Sequence, residues 1–396
     1  MSMKVAEVQA LSLEAGAAHL TQVLQAYASA EGFPPSKRAA WQAYARQAHL
    51  EALFLDLKHK EDWKYTPLGF LRRPWKLSPP EEGKLPLDLV LRGQAAQLVA
   101  PSEDLPALRS LPTPVSVWEA LLTPAASLRH YALSGEGHLL LAPRAAGDLS
   151  VHAATLSVAS GAQADLWIAP SGSGLLLIRL HLDAGAGSQV RLFLPTAARS
   201  EELFVYTLFT AQLAQEAQIE TYDLTATTGW KRSEVRVRLA GLEAQAYLHG
   251  VAKVDPGSVV DHAIRVEHAA PHTASNQLFK ALVYKGGHSA FQGRIFVQPE
   301  AQKTNAYQSH KALLWEPGAV AYSRPQLEIF ADDVRCTHGV TTGFLQGEML
   351  FYLRARGVPY EEARRLLAQG FLEEVLTRVP YKALQAWARE TMGFEK

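Results

Sequence analysis

The chain has one cysteine, Cys336, in 396 residues. That excludes an internal disulfide and any metal–sulfur site that draws several thiolates from one chain. Net charge is also missing, because 39 Lys+Arg balance 39 Asp+Glu. A balanced chain has no global electrostatic reason to bind nucleic acid or an anionic membrane, so neither is expected as a partner. Weak self-repulsion leaves association with other proteins open. No run approaches about 18 apolar residues, so no transmembrane helix is expected. The start, Met-Ser-Met-Lys-Val-Ala-Glu-Val, lacks a basic region followed by an apolar run. A secretory leader is therefore not expected, and the expected compartment is the cytoplasm.

What is present is an ordinary apolar content of 48% and more chain than one compact core holds, since single cores stop growing near about 250–300 residues. Residues 1–134 read as a helical region with a proline-rich loop from Pro74 to Pro86. Helix is expected over 4–30 and from Ser36 onward, where Trp41, Tyr44, Ala48 and Leu53 recur with helical period. A further helix is expected from Val115 to Tyr131, broken or kinked at Pro124. From 135 to 338 the texture is short apolar runs punctuated by glycine, proline and small residues: His138–Leu141, Ala164–Ile168, Leu175–Leu182, Val190–Leu194, Leu203–Phe209 and onward to Gln326–Phe330. That is a strand rhythm without gaps long enough for helices. The turns resemble one another. Gly161-Ala-Gln-Ala, Glu216-Ala-Gln-Ile, Glu243-Ala-Gln-Ala and Pro317-Gly-Ala-Val each lead into a strand. Such recurrence favours a solenoid of stacked strands, with a jelly roll or sandwich as the alternative. A solenoid also relaxes the size limit, because its core grows lengthwise.

Residues 339–396 read as helical again. Met349, Leu350 and Leu353 share a face, and Gly357 is the expected stop. Pro359 opens a second helix with Ala363, Leu367, Phe371 and Val375 on one face. Pro380 ends it, and Leu384, Trp387 and Ala388 mark a third. These helices are expected to cover the open end of the stack.

Chemistry concentrates at the seam between the two textures, Arg324–Gly343, which holds Cys336 and His338. At i, i+2 on a strand they share a face, about 6–7 Å apart, and a thiolate with an imidazole suits zinc, copper or an iron–sulfur species. Two ligands do not close a site, and a buried inert cysteine beside a hydrogen-bonded histidine is the plainer reading. Asp332-Asp333 face opposite ways on a strand and so cannot flank one glycosidic bond; solvation or a turn explains them. His262, His268, His272 and His288 are dense but lack the zinc-protease spacing, and surface or interface positions are expected. Gly286-Gly287 and Ser171-Gly-Ser-Gly174 lack a Walker lysine and a dinucleotide fingerprint, so they read as turns. Glu61-Asp-Trp-Lys-Tyr65 reads as aromatic packing at a helix end.

Four strings go further. Arg294-Ile-Phe-Val-Gln-Pro-Glu-Ala-Gln-Lys-Thr-Asn-Ala-Tyr-Gln-Ser-His-Lys-Ala-Leu-Leu314 resembles the SufB/SufD family of iron–sulfur cluster assembly scaffolds. So do Pro325–Gly339, Phe351-Tyr-Leu-Arg-Ala-Arg-Gly357 and Glu61-Asp-Trp-Lys-Tyr-Thr66. The chain is more similar to the SufD branch, since the SufB branch carries a Glu-His-Glu-Ala-Thr type string where Cys336-Thr-His-Gly-Val-Thr341 stands. The resemblance implies a mainly β protein, a right-handed parallel β-helix flanked by N-terminal and C-terminal α-helical regions. It implies a non-catalytic scaffold that pairs with a SufB-like paralogue and takes a SufC-like ABC ATPase on its C-terminal helices, through Phe351, Tyr352, Arg354, Leu367 and Phe371. Pairing of two copies in isolation is a second arrangement. His338, with Cys336 beside it, is implied to face the partner's cysteine at a transient iron–sulfur cluster shared across the interface. Reduced flavin accompanies some complexes of the family, but the sequence contains no flavin motif. From another class, a β-helical polysaccharide lyase or hydrolase competes; it requires convergent carboxylates or a calcium site.

Overall fold

The computed structural model describes residues 63–68, 90–92, 96–99, 129–198, 203–227, 229–345 and 347–394, together with Ala15, Ala18, His19 and Gln22. The helices expected over 4–30 and from Ser36, and the loop from Pro74, lie outside these apart from those four positions.

Strands dominate. Short β1 (Val90–Arg92) and β2 (Ala96–Val99) precede β3 (Arg129–Leu133), β4 (Glu136–Leu141), β5 (Arg144–Val158), β6 (Gln163–Ile168), β7 (Ser171–Ala184) and β8 (Gln189–Ala198). Then come β9 (Leu203–Leu213), β10 (Gln218–Thr227), β11 (Trp230–Leu239), β12 (Gln245–Val254), β13 (Val259–His268) and β14 (Ala274–Val283). The series ends with β15 (His288–Val297), β16 (Asn305–Leu314), β17 (Val320–Ile329) and β18 (Arg335–Phe344). Among the described residues they form two nine-stranded sheets, one in the order β1-β4-β6-β8-β10-β12-β14-β16-β18, the other β17-β15-β13-β11-β9-β7-β5-β3-β2. Every pairing is parallel except β1 with β4 and β2 with β3. The chain thus coils as a parallel β-solenoid, laying one strand in the even sheet and the next in the odd sheet. Hydrogen-bonded side chains in successive coils lie 28 (Tyr206 to Glu234), 29 (His181 to Thr210) or 31 (Gln277 to Gln308) residues apart.

The recurring turns have a physical cause. At one corner of each coil a residue adopts positive φ: Gly161, Gly187, Glu216, Glu243, His272 and Lys303. Their amides form a ladder, each donating to the carbonyl of the next coil's turn: Gly161 to Ala186, Gly187 to Gln215, Glu216 to Leu242, Glu243 to Pro271, His272 to Gln302, and Lys303 to Asp333. A small residue follows each of them and is buried at the corner: Ala162, Ser188, Ala217, Ala244, Thr273 and Thr304. The left-handed backbone fits glycine, and non-glycine residues hold it because the ladder satisfies the turn amides. The opposite corner repeats the device with Gly257, Gly286 and Gly318.

Alternation then divides each strand. On β11, Val235, Val237 and Leu239 point into the solenoid with Phe209, Ile219, Leu248 and Ile264. The interior also has a polar section. Buried Lys231 donates to Asp223, Thr225 and Thr196 at 2.7–2.9 Å, and Ser233 donates to Asp223. Burial pushes the Asp223 carboxyl up, but Lys231 and His262 outweigh it and hold the group well below the usual carboxylate range.

Several expectations need correction. Tyr131, expected to end a helix, lies on β3, because Tyr131 and Leu133 alternate into the core. Strands extend on both sides of 135–338, from β1 through the end of β18. Ser171-Gly-Ser-Gly174 opens β7 rather than forming a turn; a side chain at Gly172 would collide with the Ala145 carbonyl of the strand beside it. The largest difference is at the C-terminus. Helices α1 (Gly347–Arg354), α2 (Tyr360–Leu376) and α3 (Lys382–Thr391) do not cover the open end of the stack. Instead α2 and α3 lie on the outer face of the even sheet, where Ala368, Leu372, Val375, Leu384 and Ala388 pack on Phe193, Tyr222, Leu224, Val251, Leu278 and Leu282. That outer face is apolar, so it competes for the helices and wins. The buried stripe of α2 runs through Ala363, Ala368, Leu372, Val375 and Leu376, leaving Leu367 and Phe371 at its margin. Lys280 anchors α2 from below, donating to the Phe371 carbonyl at 2.6 Å and pairing with Glu374.

Buried histidines tie stability to pH. Burial draws His249 and His268 down to about 4. Both are neutral when folded, whereas the unfolded chain protonates them near 6.5. The unfolded state therefore binds more protons below that value, and stability is lost as pH falls from about 6.5 toward 4, by up to about 3 kcal/mol per histidine. The urea midpoint should decline between pH 7 and pH 5, before carboxylates titrate. A flat midpoint over that range would contradict the assignment.

Candidate functional site at the open end of the solenoid

The ladder that builds the solenoid ends at β17 and β18. Among the described residues each is bonded to a neighbour on one side only, β17 to β15 and β18 to β16. β18 is exposed over most of its length, and β17 is nowhere fully buried. Apolar side chains stand open around this end: Tyr322, Ile329, Phe330, Val340 and Phe344, with Phe330 59% exposed. An unpaired edge with a bare apolar rim is a template for another chain.

Register places the seam residues. Cys336 stands beside Ala306, His338 beside Gln308 and Val340 beside His310. Ala306, Gln308 and His310 are buried, so Cys336, His338 and Val340 occupy inward positions of a coil that nothing covers among the described residues. Cys336 is half-buried against Ile295, Val297, Ala301 and Ala331. His338 is exposed. Beneath it the lining is polar: Gln308 donates to Gln277 at 2.8 Å, and its own carbonyl oxygen is buried without a hydrogen-bond partner. His310 meets Ser323 across the interior and stacks on Phe291 at 4.6 Å between centroids. His338 also borders a groove of about 420 Å³ on the outer side, between β14, β16 and β18 and the Glu374–Arg378 end of α2.

Burial pushes the Cys336 thiol up, against a smaller opposing pull from the Ala306 backbone. The side chain is therefore a protonated thiol at neutral pH and a reluctant ligand until a metal displaces its proton. His338 is the accessible donor of the pair. Among the described residues no group of three or more His, Cys, Asp and Glu side chains is placed to hold a metal ion.

The other singled-out residues fall elsewhere. The four histidines expected at surfaces or interfaces are dispersed, and two are interior. His262 and His268 both point inward from β13, about 20 Å apart at 3.3 Å per residue. His262 lies 3.5 Å from Asp223, and His268 bonds Thr273 and Ser275. His272 is a turn residue with positive φ, and His288 contacts the Tyr65 carbonyl at 2.7 Å. Asp332 and Asp333 are exposed in the turn before β18, with Asp333 paired to Lys303. Trp63 packs on the outer wall of the odd sheet, with the Arg232 guanidinium 3.9 Å above its ring and Tyr206 stacked at 6.0 Å. Residues 63–68 form a strap across that wall: Thr66 bonds Asp261, Trp230 donates to the Pro67 carbonyl, and Tyr65 stacks on Tyr322. Sequence reasoning missed the strap's footing, Arg232 and Asp261. Their signal was a charged residue where a wall strand ought to meet solvent. On α1, which buries nothing, Phe351 is 73% exposed and Tyr352 56%. Arg354 sits by the Tyr360 ring, and Phe371 is partly buried over Lys280. Among the described residues no helix is long and apolar enough to cross a membrane.

Because Cys336 is the sole thiol, its ionisation can be read directly. Alkylation by iodoacetamide should be slow at pH 7 and still be rising at pH 9. A rate that levels off near neutrality would show the thiol to be activated instead.

Comparison with known proteins places this geometry. Residues 142–371, more than half of the chain, match the SufBD core domain of the SUF system of FeS cluster assembly. The iron–sulfur cluster assembly protein SufD of Escherichia coli is 31% identical over 163 residues, covering 41% of this chain and 38% of that protein. A SufBD family protein of Synechocystis is 39% identical over 123 residues, covering 31% and 27%. A chloroplastic protein of Arabidopsis thaliana is 35% identical over 178 residues, covering 44% and 38%. The aligned stretches span less than half the length of each of these relatives. The chain belongs to the SufB/SufD family of iron–sulfur cluster assembly proteins and is most like SufD.

Proposed function

We propose that this protein is a non-catalytic, cytoplasmic scaffold of the SUF machinery, and that it completes a nascent-cluster site by pairing its open solenoid end with a SufB-like subunit. The observation that carries this reading is the terminal coil. It leaves two strand edges unpaired, exposes an apolar rim and holds an accessible imidazole, His338, among inward-facing positions. A subunit of similar coil geometry can extend the ladder, bury Val340, Phe344 and Phe330, and bring thiolates toward His338. The cluster is cargo here, and the ligand count supports sharing, since one exposed imidazole and one protonated thiol do not hold it alone. Pairing of two copies of this chain is a weaker use of the same surface, because it brings only two thiols, both protonated.

The second partner surface is α1. A helix with no buried residue and with Phe351 and Tyr352 in solvent is suited to docking, and a SufC-like ATPase is the partner proposed for it. Arg354 flanks that patch. Leu367 and Phe371 contribute by holding α2 in place beneath it.

His338→Ala should fold and pair normally, yet lower cluster yield in the reconstituted complex by at least the roughly 10–100-fold that loss of a ligand's supporting group costs. Wild-type yield from that complex would end the proposed role. Val340→Glu should abolish pairing by size-exclusion chromatography while leaving the isolated chain folded. Phe351→Ala with Tyr352→Ala should lose the ATPase in a pull-down but keep the SufB-like subunit; retained ATPase would move that interface elsewhere.

A further inference from the structure

The outer wall of the odd sheet carries an arrangement that cluster assembly does not use. Arg236 on β11 stands in register with Arg265 on β13, and Arg265 with Arg294 on β15. Three guanidinium groups thus rise side by side from strands about 4.8 Å apart. Like charges directly opposed on a sheet are destabilising, so such a row needs counter-charge. The outer two have it. Arg236 pairs with Glu234, and Arg294 lies 3.3 Å from Glu328 and donates to Gln326. Arg265, between them, makes no ion pair among the described residues; its guanidinium lies over the Phe296 ring, 5.9 Å from the centroid.

A cavity of about 120 Å³ opens along this row, with Ala263 among its lining residues. Its charged lining is Arg232, Arg236, Arg265 and Arg294 against Glu234 alone. Arg232 is fully buried, and its Nε and Nη2 have no hydrogen bond. Nη2 is 3.7 Å from Glu234 Oε2, and Nη1 is engaged with Asp261. Glu234 itself accepts from Tyr206 at 2.9 Å and from Arg236, so its charge is already shared. Counting Asp261 and Glu328 just outside, the pocket still keeps one uncompensated positive charge, on Arg265.

The geometry points to a binding site for a small phosphate-bearing anion, held between the forks of Arg236, Arg265 and Arg294 with Arg232 behind it. Arginine forks receive the oxygens of phosphate in pairs, and a row of them spans a diphosphate better than a single point charge does. The volume suits a phosphate or diphosphate group and leaves any attached moiety outside the cavity. The ligand is a dissociable small molecule, and its site lies on the odd sheet, whereas α2 and α3 cover the even one.

Titration calorimetry of the full chain with inorganic pyrophosphate tests this, at ionic strength matched with potassium chloride. Wild type should bind, and Arg265→Gln should weaken binding by about tenfold or more, the loss of one charge-assisted pair. Arg265 is exposed, so the variant should fold; its unfolding temperature without anion should be equal to or above wild type, because the like-charge row is relieved. Arg238→Gln, two residues along β11 from Arg236 and paired with Glu267 at 3.1 Å, should bind as wild type does. Absence of binding to wild type, equal weakening in Arg238→Gln, or succinate binding as tightly as pyrophosphate would each overturn the assignment.

Discussion

Everything in this molecule depends on the ladder between coils. Each strand satisfies its amides and carbonyls through the coil before and the coil after, and the corner turns do the same through their stacked left-handed residues. This is a one-dimensional device: each coil contacts its neighbours, and the core grows lengthwise. Its necessary defect is at the ends, where a coil has one neighbour. β1 and β2 run antiparallel to the strands they meet and so break the parallel series at the first end. Among the described residues no such device closes the second end. α2 and α3, which come after it and α1, lie along the side instead, because the even sheet offers them aromatic and aliphatic surface from Phe193 to Leu282. The fold therefore leaves open the coil that holds its cysteine and the accessible imidazole.

The wall residues explain why the open end is chemically different from the middle. Near β10 and β11 the interior polar groups gather on Asp223, which accepts from Lys231 and Ser233 and lies 3.5 Å from His262. Removing one member of such a set leaves a buried charge, which costs several kcal/mol, so these groups fix register rather than react. Nearer the open end the buried polar groups include amides. Gln277 and Gln308 bond each other, and each leaves one polar atom unpaired. His338, in register above Gln308, continues that polar column into solvent. A surface that continues an unsatisfied interior is suited to being covered by matching polar groups of another subunit.

The strands were legible in the sequence because their period of two is short and repeated. A run such as Val235–Leu239 alternates cleanly, and the corner motif Glu-Ala-Gln recurs because only a small residue fits behind the left-handed turn. The placement of the helices was not legible. Amphipathicity says that Ala368 and Leu372 need an apolar surface, but not which of two apolar surfaces, end or wall, is larger. The same limit applied to the histidines. His262 and His268 share a face as even spacing allows, yet whether that face is solvent or interior depends on coils about 30 residues away. Arg236, Arg265 and Arg294 were likewise unreadable as a row, since their alignment exists only once the register is set. The Trp63 string marked packing, and the surface it packs on is the outer wall of the odd sheet.

Cys336 and His338 show how far spacing alone goes. On β18 they share the inward side, as i, i+2 residues must, yet their environments diverge because the previous coil is apolar beneath one and polar beneath the other. Ala306, Ile295 and Val297 shield Cys336 and favour its neutral thiol. Gln308 offers His338 a polar floor. A site that needs a soft anionic ligand at once is poorly served by a shielded thiol, whereas one assembled in steps is not. The imidazole can engage first, and the thiol loses its proton only when a metal ion lies close enough to replace that proton's stabilisation. In the proposed shared site the metal comes within reach only after a partner's thiolates have closed over the coil. On that order of events, the raised thiol protects the free subunit from binding stray metal, and pairing is the step that removes the protection.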